Sequence, residues 1–306
     1  METNASSAHR WGVILALVAA FGFSLKAIFV KLGYGYQVSP VVLLALRMGF
    51  ALPVFLWVGL HAGRQAAPLT GRDWLRLTLL GSAGYYGASI LDFMGLQYIT
   101  AGLERLILFT YPTLTVLAGV LFQGKRLTRN IVAAIGLSYL GIGFAFFHDV
   151  HLAGDLGPVL IGGGLVFASS LSYAFYLAGS GSMIARLGSA RFTALAMLMS
   201  TAGTLLHFVL TEPFSAFVQP LPVYGLGLAM ALVCTVMPVF AQSAAIRRIG
   251  AGPASLMGTV GPLLTIVFGW WWLGEHISAA QIFGGGLVIL GVWLVGRGGG
   301  AKTKQV

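Results

Sequence analysis

Apolar runs close to twenty residues long recur from one end of this 306-residue chain to the other. A helix rising about 1.5 Å per residue needs roughly 20 such residues to cross about 30 Å of hydrocarbon. Inside hydrocarbon the backbone must also satisfy its own polar groups, which a helix does and an open sheet does not. The pattern therefore predicts an all-α membrane protein. Charge agrees: Asp, Glu, Lys and Arg make up 8% of the residues, against about a quarter in a soluble domain, too few to cover a water-facing surface. No polar stretch exceeds about fifteen residues, which leaves no room for a separate soluble domain or a conventional enzyme module.

Ten spans are predicted, at 11–32, 40–60, 75–98, 101–121, 130–147, 157–178, 190–210, 222–242, 252–272 and 279–296. The first run, from Trp11 to Leu32, is too long for a signal-peptide core and carries Lys26 and Lys31 without a small-residue cleavage site, so it counts as a helix. An even number of crossings returns both termini to one side. That side collects Arg10, Arg64, Arg72, Arg76, Lys125, Arg126, Arg129, Arg186, Arg191, Arg247, Arg248, Arg297, Lys302 and Lys304. The opposite loops hold Asp149, Asp155, Glu212 and Glu275. Lys and Arg are retained in short cytoplasmic loops during insertion, so both termini are expected in the cytoplasm. Trp11, Trp74 and Trp293 fall at the inner boundary and Trp270, Trp271 and Trp272 at the outer one, where amphipathic rings prefer to sit. The basic residues behind the net charge of +10 sit mostly at helix ends and do not form the single basic face that nucleic acid requires. Cys234 is the only cysteine, which excludes an internal disulfide.

Shifting the chain by 150 positions aligns Tyr98–Gly143 with Arg248–Trp293 at 13 identities in 46 positions. Pro112 meets Pro262, Thr115 meets Thr265, Gly119 meets Gly269, Gly124 meets Gly274 and Gly141 meets Gly291. Glycine and proline carry the argument, because hydrophobic composition alone does not fix where they fall. The division expected is residues 1–150, helices 1–5, and residues 151–306, helices 6–10 with a short cytoplasmic tail. A five-helix unit crosses an odd number of times, so its copy enters the membrane upside down. The charges follow: Lys125 and Arg126 align with Glu275 and His276, while Gln97 and Tyr98 align with Arg247 and Arg248. The fold class expected is ten transmembrane helices in two inverted five-helix repeats around a central cavity.

Gly261-Pro262, the run Trp272-Leu-Gly-Glu-His-Ile-Ser-Ala-Ala-Gln281, Gly284-Gly285-Gly286 and Leu290-Gly291-Val292 resemble the drug/metabolite transporter superfamily in its ten-helix EamA-type branch. Tyr111-Pro112, Gly124-Lys125-Arg126-Leu127-Thr128, Gly136 and Gly141 look like a degenerate first copy. The family commonly has an acidic residue where Lys125 stands, so a role for that carboxylate does not carry over. The resemblance implies an inner-membrane carrier with a cavity between its halves, often a metabolite or amino-acid exporter. It is similar enough to aromatic amino-acid exporters to favour those cargoes first; other small amphipathic metabolites or drugs are the alternative.

In inverted-repeat carriers the site lies near the midplane beside helices interrupted at matching positions. Pro112 and Pro262 form such a pair, and each frees a carbonyl one turn earlier, at Leu108 and Gly258, either for cargo or for a neighbouring helix. At similar depth lie Tyr85, Tyr86, Ser89, Tyr111, Thr113, Ser169, Ser170 and Tyr173, whose hydroxyls want partners and would suit an aromatic-lined, weakly polar cavity. Lys26, Lys31, Arg47, Asp92, Glu104 and Arg105 lie within or near spans of the first half. Lys31 and Arg105 are placed to snorkel outward, leaving Lys26 and Arg47 opposite Asp92 and Glu104 as ion pairs, either a gate or a fixed brace. Four bases against two acids favour a carboxylate or zwitterion over a bare organic cation.

Other motifs resolve into decoys. Gly119 to Arg126 reads G-x-x-x-x-G-K-R, but Arg126 replaces the hydroxyl residue of a phosphate-binding loop and no strand precedes it. His148, Asp149, His151 and Asp155 form a polar link, read as a solvated loop in preference to a metal site. No compact nucleophile–base constellation points to an intramembrane enzyme, and no repeated polar rings to a channel, the two rival classes. No metal and no cofactor are expected; the expected partners are a small-molecule substrate and the lipid bilayer. Oligomeric state is not indicated.

Overall fold

The computed structural model describes residues 2–64, 67–123, 129–249, 254 and 257–298, and every regular element among these residues is helical. Lys125, Arg126, Lys302 and Lys304 lie outside them. The first half contains α1 (Glu2–Tyr34), α2 (Pro40–Gly63), α3 (Gly71–Gly81), α4 (Ala88–Gly95), α5 (Ala101–Leu108), α6 (Tyr111–Gln123) and α7 (Arg129–Ala153). The second contains α8 (Leu156–Leu187), α9 (Ser189–Thr211), α10 (Leu221–Ala231), α11 (Met237–Ile249), α12 (Gly261–Leu273) and α13 (Ala279–Gly298). Seven stretches among the described residues are long and apolar enough to cross a membrane, and Gly261–Leu273 and Ala279–Leu294 are shorter apolar helices.

Local chemistry sets the helix starts. Ser39 accepts the Val42 N–H at 3.3 Å ahead of Pro40, which suits a first helical position because its missing N–H would be unused there. Thr70 and Asp73 form a reciprocal capping box on α3, and Asp73 also meets Arg186 at 2.7 Å. At α5, Thr100 accepts the Leu103 N–H, while the Glu275 carboxylate accepts the Ala101 N–H at 3.0 Å and Lys31 at 3.3 Å. A carboxylate at a helix N-terminus is favoured by the exposed N–H groups there. Lys31 is therefore paired and not simply snorkelled.

Three features depart from the expected spans. A π-helical turn, Ser82–Gly87, joins α3 to α4, and another, Leu232–Val236, joins α10 to α11. The fourth and ninth spans are broken at residues 109–110 and 259–260, immediately before the Tyr111-Pro112 and Gly261-Pro262 restarts. Last, α7 runs on to Ala153, so His148, Asp149 and His151 are helical. There Asp149 accepts the Thr100 N–H at 2.9 Å and the Thr100 hydroxyl at 3.0 Å, which commits it to capping α5.

Contacts recur across the halves with their partners exchanged, as a two-fold axis demands. A side chain at Gly12 would strike Ile249 and Arg248; one at Gly162, 150 positions on, would strike Ile99 and Tyr98. Gly22 packs on the Val233 carbonyl, and Ser172 hydrogen-bonds the Ala83 carbonyl at 2.8 Å. At the crossing of α7 and α13, Gly141 abuts the Gly284 backbone while Gly291 lies against Ala134 and Ser138. Glycine permits this close approach because any Cβ would collide with the facing backbone. The outward face carries large exposed apolar groups, including Leu121, Phe147, Leu210 and Trp271. On a soluble protein such a surface would be an aggregation hazard; against lipid it is the expected solvent boundary.

Candidate functional site

The wide turns and the broken helices surround one cavity of about 340 Å³. Helix α1 contributes Phe23 and Lys26, α2 contributes Arg47, and the first π-helical turn contributes Tyr85. Ser89 and Asp92 follow on α4, Arg105 and Leu108 on α5, Tyr111 on α6, and Ser169 and Tyr173 on α8. Cys234 and Thr235 enter from the second π-helical turn, Gln242 from α11 and Gly258 from just before the break at 259–260. Six pairs of lining residues are 150 positions apart: Phe23 and Tyr173, Gly84 and Cys234, Tyr85 and Thr235, Ser89 and Val239, Asp92 and Gln242, Leu108 and Gly258. The cavity therefore draws equivalent positions from both copies.

Phe23, Tyr85, Phe109, Tyr111 and Tyr173 give it an aromatic stretch of wall. The Tyr111 and Tyr173 rings meet edge to face with centroids 5.1 Å apart, and Tyr173 stacks on Tyr176, 5.7 Å away. Tyr176 in turn holds the Tyr85 hydroxyl at 3.2 Å. Rings locked in this way present a rigid apolar wall with hydroxyls at its edge.

The embedded charges divide into two sets. Lys26 donates to Asp92 Oδ2 at 2.6 Å and to Glu104 Oε1 at 3.4 Å, with both carboxylates almost wholly buried. Arg47, expected to share those acids, instead donates from Nε to Thr235 Oγ1 at 2.9 Å and from Nη1 to Ser89 Oγ at 3.3 Å. Its guanidinium carbon lies 5.7 Å from the Phe93 ring centre. Arg105 also departs from expectation, since it is 7% exposed and lines the cavity instead of reaching outward.

Of the residues expected at the site, Lys26, Arg47, Tyr85, Ser89, Asp92, Tyr111, Ser169 and Tyr173 line the cavity, and Glu104 is buried beside it on Lys26. Tyr86 turns away to His207 Nδ1, 3.0 Å from its hydroxyl, and Thr113 donates to the Thr110 carbonyl at 2.7 Å. Ser170 donates to the Leu108 carbonyl at 3.2 Å, so a neighbouring helix occupies the acceptor freed ahead of Pro112. Neither Pro112 nor Pro262 lines the cavity; each is the second residue of a helix, α6 or α12, that restarts after a break. Sequence reasoning missed Phe23, Arg105, Thr235 and Gln242 as lining residues. The repeat offset would have found three of them, as the counterparts of Tyr173, Tyr85 and Asp92.

Residues 10–147 and 160–297 each match the model of a family described as EamA-like transporters. The chain is 30% identical to an uncharacterized transporter, YcbK, of Bacillus subtilis (strain 168), over 90% of this chain and 89% of that one. It is 24% identical to a probable terminal-alkyne amino-acid exporter of Streptantibioticus cattleyicolor, over 94% and 93% of the two chains. A solved crystal structure shares the fold at a TM-score of 0.65 and 19% identity, covering 92% of this chain and 95% of that one.

Proposed function

The chain belongs to the EamA-like transporter family, a multi-pass membrane family, and from that premise we propose that it is a secondary carrier of the cell's inner (plasma) membrane. Its cargo is a small amphipathic metabolite, an amino acid above all and an aromatic one by preference, moved outward by alternating access. The ten spans divide into residues 1–150 and 151–306, inserted in opposite orientations with both termini in the cytoplasm. The two halves rock about the cavity between them.

The observation that carries this reading is the cavity lined by equivalent positions of both copies. A site on the axis of two related halves is reached from one side or the other as the halves exchange conformations. Its volume lies at the small end of the range for ligand pockets, about 300–1,000 Å³, which suits a single-ring solute. The amino-acid cargo gains support from the named activity of the Streptantibioticus relative.

Counterflow into liposomes containing the purified chain tests the reading, using a panel of labelled amino acids with the aromatic ones included. Saturable uptake driven by internal unlabelled solute supports a carrier; large electrical conductance or chemical turnover of the solute refutes it. Orientation is tested separately by introducing cysteine at Gln97 and at Arg247, two exposed equivalent positions, in a chain lacking Cys234. The two are expected to react from opposite aqueous compartments, and reaction from the same compartment rules out inversion.

A further inference from the structure

Within the carrier reading, on which this inference rests, charge on the cavity wall is unevenly matched. Asp92 and Glu104 are the acids at the cavity, and both are bound to Lys26. The two arginines that line the same space have no carboxylate within ion-pair distance among the described residues. Arg47 has hydroxyl partners for Nε and Nη1. Arg105 has less: its Nε is buried without a hydrogen-bond partner, and its guanidinium carbon lies 5.3 Å from the Phe109 ring centre. One terminal nitrogen packs where Gly261 leaves room, since a Cβ there would lie 3.2 Å from it.

An arginine does not deprotonate in a protein. A permanent cation deep in a membrane bundle is costly unless a counter-charge meets it, and a ring face supplies only part of one. Three cations and two anions leave an excess positive charge at the cavity, and the unmatched part lies on the arginines. The planar guanidinium fork suits a carboxylate, which accepts two parallel N–H bonds. Beside it Tyr111 and Tyr173 provide an apolar wall on the scale of one ring.

We infer that Arg105 is the anchor for a carboxylate on the cargo, so that the substrate class is a compact carboxylate with an aromatic or apolar body. A free acid and a zwitterionic amino acid share that chemistry. An amine with the same body lacks it and meets the excess positive charge unaided.

The test measures binding to the full-length chain purified in detergent, which does not depend on transport. The probes share one body: phenylalanine, 3-phenylpropionate and phenethylamine. At least one of the two carboxylates is expected to bind about tenfold or more tightly than the amine, and their order tells a zwitterion site from a simple acid site. Arg105→Gln is expected to abolish the preference and Arg105→Lys, which keeps the charge and loses the fork, to retain part of it. Equal binding of the amine, no binding of any probe, or a folded Arg105→Gln variant with its preference intact would overturn the inference. Should Arg105→Gln fail to fold, the wild-type series and Arg105→Lys decide. Counterflow without a carboxylate preference sinks this inference and leaves the carrier; carboxylate-selective binding without counterflow sinks the carrier.

Discussion

Replacing Lys26 by methionine removes the cation that Asp92 and Glu104 share. At an effective dielectric constant of about 20, charges 2.6 and 3.4 Å apart attract by roughly 6 and 5 kcal/mol. Desolvation of the three ions offsets most of this gain, so the cluster as a whole stabilises little relative to an uncharged one. Breaking it is another matter. With the ammonium gone, two carboxylates that are 1% and 0% exposed lose their ion-pair partner, and neither arginine at the cavity lies within ion-pair distance to replace it; removing one partner of a buried pair costs about 3–5 kcal/mol. Lys26→Met should therefore lower the thermal unfolding midpoint in detergent markedly. The triple variant Lys26→Met, Asp92→Asn, Glu104→Gln has no ion left to strand and should regain most of the wild-type midpoint. The readout is stability because Lys26 and Asp92 also line the cavity, and transport falls in both variants. A Lys26→Met protein as stable as wild type, or a triple variant no better than the single one, would refute the reasoning.

Tyr111→Ala and Tyr173→Ala each remove one ring of the cavity wall, and Ser170→Ala frees the Leu108 carbonyl; each should reduce transport in proteoliposomes by more than it reduces membrane abundance, and three normal transporters would invalidate this map of the site. Gly141→Ala sets a Cβ against the Gly284 carbonyl oxygen, well inside van der Waals contact, and should cost about 1–3 kcal/mol, whereas a Cβ at Gly143 meets nothing within 4 Å and Gly143→Ala should be no less stable than wild type; comparing their unfolding midpoints checks both. The Asp73 carboxyl is held below its ordinary range, first by hydrogen bonds from Thr70 and then by Arg186. Its contribution is fully present above the ordinary value of 3.8 and is lost as pH falls through the lower folded-state value, so the wild-type midpoint should fall below about pH 4 relative to its own neutral value, by more than that of Asp73→Asn.

The seven membrane-length helices among the described residues and the two family copies were legible because their signals are local or periodic: apolar runs of membrane length, and glycines and prolines repeating at one offset. Cavity-lining positions such as Tyr85, Tyr111 and Tyr173 were legible as hydroxyl groups inside apolar runs. Partner choice was not. Lys26, Arg47, Asp92 and Glu104 stand out as charges in apolar runs, but which acid meets which base depends on the rotation and depth of four helices, and composition carries neither. Arg105 was misplaced for that reason: immediately after Thr100, Ala101 starts a helix that turns it inward, whereas a residue near a span end ordinarily reaches for water. The π-helical turns were invisible because Ser82–Gly87 and Leu232–Val236 share no residue type. A wide turn is set by tertiary contacts as much as by its own side chains, and Ser172 on the Ala83 carbonyl is one such contact.

Those two wide turns also constrain one another. A π-helical turn holds one residue more than the α-turn it replaces, yet the separation between equivalent contacts is the same before it, at Gly12 and Gly162, and after it, at Gly141 and Gly291. Neither copy carries a net insertion relative to the other along that stretch, so the two wide turns stand at equivalent positions, Ser82–Gly87 and Leu232–Val236. A deletion that straightens one of these helices would shift half a molecule against the other; only matched deletions keep the shared register.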